Sequence, residues 1–448
     1  MVKEYDLVVI GAGTAAMTAA MRVSAAGKKV AVVDFRPFGG TCALRGCDPK
    51  KMLIGGAEAV DHVRRMHDKG VAGEVSILWP ALMAFKRTFT DPVPDKMEQR
   101  YQEKNIDTFH GKARFAGKNT VIVGDTTLEA KHVLLAFGAE PVKLNIPGEE
   151  YLTDNEGFLE LENLPARIVC VGGGYIAAEF SHLAARAGAK VTVLQHGERM
   201  LKEFDADLVG WLMASFSALD IDVRTKTSVE RIEKVGNAYR VFSSSDGKEF
   251  MVEADLVVHA AGRTPDYAAL DLDVAGVAVE KGKIKLNEYL QSVSNPAVYA
   301  AGDAARMGPP LTPVSSHDAK VVAGNILNGN QLKPNYTGVP SVAFTIPPIA
   351  SVGLNEEQAH KQGLKFRVNS QKASDWFTAR QAAEPVYAFK VLVEETSGRV
   401  LGAHLVGPHT DEVINVFALA IRYGHTAQEL KDTMFAYPTG ASDIGYMV

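Results

Sequence analysis

One pattern occurs twice in this chain and limits its fold more than any other feature. A short apolar strand runs into a glycine-rich turn, then an alanine-rich helix, then a second apolar strand. In the first copy, Asp6 to Ile10 lead into Gly11-Ala-Gly13-Thr-Ala-Ala16, a helical stretch to about Ala26, the strand Lys29 to Val33, and Asp34. In the second, RIVCVGGGYIAAEF (Arg167 to Phe180) places Gly172, Gly174 and Ala177 in the three small positions, and KVTVL (Lys190 to Leu194) follows. The first glycine makes the tight turn, the second lets the backbone approach a pyrophosphate, and the third small residue seats the helix on the strand. Such a triplet alone is a weak signal, but between two strands it predicts a dinucleotide-binding unit. Two units predict an α/β chain with two nucleotides, which suits passing electrons from one cofactor to another.

The two copies differ where the second strand ends. Asp34 is placed to hydrogen-bond ribose hydroxyls. The equivalent position of the second copy holds Gln195, followed by His196, Arg199 and Lys202. A missing carboxylate among clustered cations favours the 2′-phosphate of NADPH, with NADH tolerated by Gln195. Ordinary solvated surface charge is the alternative.

Between the copies lies GGTCALRGCDPKK, Gly39 to Lys51. Cys42 and Cys47 come to one face if the segment is helical or tightly turned, close enough to form a disulfide. So short a loop gives little entropic stabilisation, which argues for a redox dithiol over a staple. Arg45, Lys50 and Lys51 would depress a thiol pKa. Half of a zinc site is the competing reading, but the only other cysteine is Cys170, in the apolar strand RIVCV, where it reads as a small hydrophobe. No metal site is expected.

Composition narrows the rest. A net charge of -5 gives no nucleic-acid footprint. Three cysteines in 448 residues fit a reducing compartment rather than a disulfide scaffold. No apolar run approaches the roughly 18 residues of a membrane span, and the first strand begins too early to leave room for a signal peptide, so a cytoplasmic protein is expected. Leu53 to Lys69 read as one helix and a mixed-charge stretch up to Asn105 as another. Gly111 to Val123 read as a hairpin or meander and His132 to Pro141 as a buried strand. Further helices are expected over Thr312 to Asn328 and Asp411 to Tyr423. The expected domains are 1–149 with 267–335, 150–266, and a mixed α+β domain over 336–448.

In this order the motifs resemble the flavoprotein disulfide reductases, the group that includes glutathione reductase, dihydrolipoamide dehydrogenase and mercuric reductase. GAGTAA, GGTCALRGCDPKK, GGGYIAAE, AAGRTPD, the AAGD stretch and PPIASVGLNEEQA carry the likeness along essentially the whole chain. The resemblance implies two Rossmann-like domains, for FAD and NAD(P), and a C-terminal dimerisation domain. It implies FAD contacts from Gly11, Gly13, Ala16, Asp34, Gly40, Thr41, Ala113, Gly138 and Asp303. Nicotinamide nucleotide contacts would come from Gly172, Gly174, Tyr175, Ile176, Gln195, His196, Arg199 and Gly262. Tyr175 would gate the nicotinamide face, and Lys50 with Glu179 would tune hydride acceptance. Cys47 would be the thiolate facing the flavin and Cys42 the interchange thiol that attacks substrate. It further implies a homodimer in which each C-terminal domain closes the partner's site.

One departure stands out. Relatives that reduce disulfides carry His-Pro-Thr-x-x-Glu near the C-terminus, where the His moves a proton to and from the interchange thiol. This chain reads Tyr437-Pro-Thr-Gly-Ala-Ser442, with Asp443 one place late. A free phenol titrates near about 10 and is a poor base at neutral pH, so acid–base help of roughly 10²- to 10⁴-fold should be lost. His425 lies nearby in the chain without a motif around it. The C-terminal cysteine pair of mercuric reductases is missing as well, which disfavours full mercuric reductase activity. The leading expectation is an enzyme that moves electrons from NAD(P)H through FAD to Cys42–Cys47 and on to a disulfide, persulfide or other small electrophile. One alternative passes electrons directly from flavin to a quinone, metal ion or oxygen. The other is a redox-sensing or electron-transfer partner in a larger complex.

Overall fold

The computed structural model describes residues 1–448, which divide into two compact units. The first contains Met1–Lys50, Phe85–Val142 and Arg263–Tyr336; the second contains Lys51–Ala84, Lys143–Gly262 and Thr337–Val448.

In the first unit, strand β1 (Val2–Ile10), helix α1 (Thr14–Ala25) and strand β2 (Val30–Asp34) form the expected strand–helix–strand unit. β1 lies between β2 and the strand Thr126–Leu135, parallel to both. Ile106–His110 extends the parallel layer beside β2, and Val298–Ala300 extends it beside Thr126–Leu135. Leu7, Val8, Val9 and Ile10 are buried at successive rather than alternate positions. A parallel strand covered on both faces requires this. Antiparallel strands Thr120–Val123 and Ala113–Phe115 complete the sheet where a meander was expected. α1 packs on the helix Thr312–Asn328.

The second unit holds a four-stranded parallel sheet in the order Asp222–Arg224, Lys190–Leu194, Arg167–Val171, Leu256–His259. An antiparallel sheet of Thr227–Val235, Ala238–Ser245 and Lys248–Ala254 is inserted in the chain between Asp222–Arg224 and Leu256–His259. The C-terminal segment forms a five-stranded antiparallel sheet with the helix Thr410–Tyr423 packed on its strands. The fold is thus α/β with a mixed C-terminal part. No helix is long and apolar enough to cross a membrane.

Both glycine turns use one steric device. Gly11 has φ +108°, and a Cβ there would stand 2.3 Å from the Ala136 carbonyl oxygen. Gly172 has φ +107°, and a Cβ there would stand 2.4 Å from the Ala260 carbonyl oxygen. Each chain leaves its strand against the backbone of the neighbouring strand, so only glycine fits.

Two helical expectations need correction. Helix α3 begins at Cys47 rather than Leu53 and runs to Met66. The stretch up to Asn105 holds two helices, Trp79–Thr90 and Val93–Glu103, in place of one. Pro92 lacks an N–H and fits a helix start but not an interior, so it separates them.

In the second unit, Lys390 is 5% exposed on the strand Ala388–Glu394, 3.1 Å from Asp205 and 2.7 Å from Glu356, with Asp207 also bonded. Burial pulls the Lys390 pKa down, but the surrounding carboxylates more than offset this and hold it above the ordinary lysine value. Asp205 also caps the helix Ala206–Ala218 through Asp207 N–H and Leu208 N–H. Lys390→Met would leave these carboxylates without their shared cation, Asp205 fully buried among them. We expect a loss of about 3–5 kcal/mol, read as a lower urea midpoint; an unchanged midpoint would show the cluster to be energetically neutral.

Candidate active site

The first unit builds a cradle from backbone. Gly13 is the N-cap of α1, no side chain caps that helix, and its first turn carries no acidic residue. The open N–H groups and the helix dipole suit an anion. Asp34 ends β2 and braces the turn: one oxygen accepts from Ala12 N–H at 2.8 Å, the other from Arg36 N–H at 2.9 Å. A Cβ on Gly40 would fall 2.3 Å from Gly13 Cα. The cysteine-bearing segment therefore begins in backbone contact with the nucleotide turn. Ala16 is fully buried in α1 and Ala113 is buried at its strand. Gly138 has φ +78° with open space around the missing Cβ. These features fit the pyrophosphate and ribose of a dinucleotide such as FAD.

Asp303 lies in the turn Gly302–Ala304, where burial raises its pKa and the Arg263 charge opposes the rise. The backbone before it is held by Asp318, which accepts from Gly302 N–H at 3.1 Å and from the Tyr336 hydroxyl at 2.8 Å. Burial pushes the Asp318 carboxyl up to about 6.

Cys42 lies in helix α2 (Gly40–Arg45), and Cys47 opens α3. Both are free thiols, Cys42 half-buried and Cys47 exposed. The Thr312 hydroxyl lies 3.1 Å from the Cys42 Sγ and 3.5 Å from the Cys47 Sγ. The hydrogen bond from Cys42 is the largest influence on Cys47 and lowers its pKa; Thr312 and the Lys50 charge add to this. They overcome desolvation and bring Cys47 down to about 6. The same bond, together with burial, holds Cys42 well above the ordinary thiol range. The surroundings thus favour negative charge on Cys47 over Cys42. Thr312 escaped the sequence reading; the Thr-Pro at an expected helix start was its only local signal.

The second unit carries the other set. Tyr175 opens the helix Tyr175–Arg186, with its ring edge-on to Phe204 at 5.4 Å. Burial pushes its phenol up to about 12. Ile176 packs on the core of this unit. Glu179 is buried, and its carboxylate accepts from Phe344 N–H at 2.9 Å. The Gln195 side chain covers the glycine turn so closely that a Cβ on Gly173 would lie 2.9 Å from its Cδ. Its amide donates to the Arg199 carbonyl at 3.1 Å. His196 shares a 2.9 Å hydrogen bond with Ser228. The Arg199 guanidinium bonds the Leu201 and Lys202 carbonyls, while Lys202 and Lys226 pair with Glu203 and Glu198. Gly262, at φ +109°, has open space around its missing Cβ. The expected cations are therefore present, but turned onto neighbouring backbone and carboxylates.

Tyr437 is 80% exposed. Ser442 exchanges hydrogen bonds with the Thr439 backbone, and Asp443 accepts from the Tyr387 hydroxyl at 2.8 Å. Both are engaged within the fold. His425 pairs with Glu429 at 3.5 Å after the C-terminal end of Thr410–Tyr423, whereas Gly440 packs against His409 at the N-terminal end of that helix.

A family model described as pyridine nucleotide-disulphide oxidoreductase matches residues 5–319, and the dimerisation domain of that family matches residues 339–448. The chain is 32% identical to a mercuric reductase of Bacillus cereus, over 98% of this chain and 70% of that one. It is also 32% identical to a glutathione reductase of Burkholderia cepacia, over 98% and 97%. Among solved structures, a Cu(II) complex of the HOCl-induced flavoprotein disulfide reductase RclA from Escherichia coli superposes with a TM-score of 0.89 at 27% identity, over 99% of both chains.

The thiol geometry sets a pH expectation. In the reduced protein, alkylation of Cys47 should rise through a midpoint near 6. Cys42→Ala removes the strongest donor to that sulfur and should move the midpoint toward the ordinary thiol value of about 8.5. Mass spectrometry of iodoacetamide adducts against pH reads both.

Proposed function

The chain belongs to the pyridine nucleotide-disulphide oxidoreductases, enzymes that use FAD and a pyridine nucleotide, and from that premise we propose an NADPH-preferring homodimer that reduces a disulfide, persulfide or similar small electrophile through Cys42 and Cys47. The observation that carries this reading is the thiol pair itself, both sulfurs within reach of the Thr312 hydroxyl, in surroundings that lower the Cys47 pKa and raise that of Cys42. Bound FAD supplies a two-electron carrier between nicotinamide and sulfur. Gly11, Gly13 and the first turn of α1 would hold its pyrophosphate, Asp34 its ribose, and Gly40, Thr41, Ala113, Gly138 and Asp303 the remainder. Gly172, Gly174, Ile176 and Gly262 would seat the nicotinamide nucleotide, and Tyr175 would cover its ring. Lys50 adds positive charge at Cys47, and Lys50 and Glu179 keep their assigned part in hydride acceptance. Cys47 holds negative charge at low cost, while Cys42 attacks substrate. A three-domain division of the chain, at the boundaries expected from sequence, belongs to the same proposal.

The preference for NADPH rests on the missing carboxylate at Gln195 and on His196 and Arg199 nearby. A 2′-phosphate would have to draw Arg199 away from the Leu201 and Lys202 carbonyls.

A second reading is favoured by the C-terminal loop. With Tyr437 exposed and Ser442 and Asp443 engaged elsewhere, a proton relay for disulfide exchange is poorly supplied. Relatives bear the name mercuric reductase, and the RclA structure is a Cu(II) complex. A metal ion taking electrons without the dithiol would need no such relay.

Cys42→Ser separates the two. It should abolish turnover of a disulfide substrate while NADPH still reduces the enzyme; turnover that survives would transfer the function to the flavin alone. Arg199→Ala should raise the KM for NADPH by about ten- to a hundredfold, the worth of a charge-assisted contact, and leave that for NADH nearly unchanged. Equal changes for both nucleotides would remove the NADPH preference.

A further inference from the structure

The two sulfurs share a single hydroxyl. Thr312 is the first residue of the helix Thr312–Asn328, and its Oγ1 stands 3.1 Å from Cys42 and 3.5 Å from Cys47. A hydroxyl has one proton to donate and two lone pairs to accept with, and it rotates to suit. Pro313, next in the helix, has no N–H to draw that oxygen back to the backbone. The fixed charges acting on the pair, Asp48 and Lys50, both lie on α3 beside Cys47. Lys50 favours charge on Cys47 and Asp48 opposes charge on either sulfur, but neither can turn from one sulfur to the other. Thr312 can.

We propose that Thr312 is a hydroxyl switch for the cysteine pair, turning its one proton toward whichever sulfur is negative so that charge can pass from Cys47 to Cys42 when Cys42 must attack. The inference rests on the dithiol reading above and supplies what the loop Tyr437–Ser442, with no imidazole, does not.

At rest the Cys42 S–H donates to the Cys47 thiolate. That proton crosses to Cys47, leaving Cys42 as thiolate with one proton and one negative charge still in the pair. Thr312 turns its O–H onto Cys42 and accepts from the new Cys47 S–H. Cys42 attacks the substrate disulfide, so a mixed disulfide forms, the substrate S–S bond breaks, and a thiolate departs. Cys47 gives its proton to that departing sulfur and attacks Cys42. The Cys42–Cys47 bond forms, and the second substrate thiolate leaves to be protonated by water. Two electrons have passed from the dithiol to the substrate, and the pyridine nucleotide restores them.

The test needs no substrate. The holoenzyme is reduced anaerobically with NADPH, alkylated with iodoacetamide from pH 5 to 9, and the adducts at Cys42 and Cys47 are measured separately by mass spectrometry. Thr312→Val should slow alkylation of Cys42 at pH 7 by about tenfold, the worth of one hydrogen bond to a charged atom, and shift the Cys47 profile to higher pH. Thr312→Ser keeps the hydroxyl and should restore both profiles. A valine variant whose profiles superpose on the parent overturns the proposal. Failure of serine to restore them also overturns it, because the γ-methyl would then be the cause. Disulfide turnover by Cys42→Ser would sink the dithiol reading while leaving these profiles interpretable by themselves.

Discussion

The backbone contact between Gly13 and Gly40 is the constraint on which the candidate site depends. Neither residue carries a side chain, and a Cβ on Gly40 would overlap Gly13 Cα. The turn that can bind a dinucleotide and the segment that carries the thiols therefore start from one point. α2 and α3 then set the distance from that point to Cys42 and Cys47, and Thr312 reaches the sulfurs from the start of another helix. Redox chemistry between a cofactor and a dithiol needs such fixed proximity, and backbone contact supplies it with little conformational freedom to lose.

Electrostatics in the pair follow from this placement. An isolated thiol holds its proton at neutral pH, and burial alone would strengthen that hold. The opposite outcome at Cys47 comes mainly from the neighbouring S–H of Cys42, helped by Thr312 and Lys50. Cys42 bears the cost, held protonated by the same bond. Two chemically identical side chains thus have their pKa values moved in opposite directions by their surroundings. The second unit shows the same economy at Glu179, whose buried carboxylate is matched to the Phe344 N–H.

The nucleotide turns, the acid at Asp34 and the cysteine segment were legible because each depends on local backbone geometry. A positive φ at Gly11 and Gly172 is a requirement that sequence announces directly. The helix break at Pro92 was readable by the same logic and was missed only because mixed-charge periodicity continues past it. Thr312 and Asp318 were not legible. Each acts on residues outside its own helix, Cys42 and Gly302 respectively, and neither the Thr-Pro at a helix start nor an Asp within the helix names such a partner. The cations after Gln195 were read correctly as residues, yet their direction was not: Arg199 satisfies its own chain's carbonyls.

By itself, then, the sequence determined the two strand–turn–helix–strand units, the pairing of Cys42 with Cys47, and the loss of imidazole at Tyr437. All three are written in spacing and residue type, because short-range sterics and intrinsic chemistry govern them. Tertiary structure alone decided which hydroxyl the sulfurs share, which way Arg199 turns, and where Ser442 and Asp443 spend their hydrogen bonds. Those outcomes depend on which groups meet after folding, and hydrogen bonds in partly buried surroundings are strong enough to override the ordinary behaviour of each side chain.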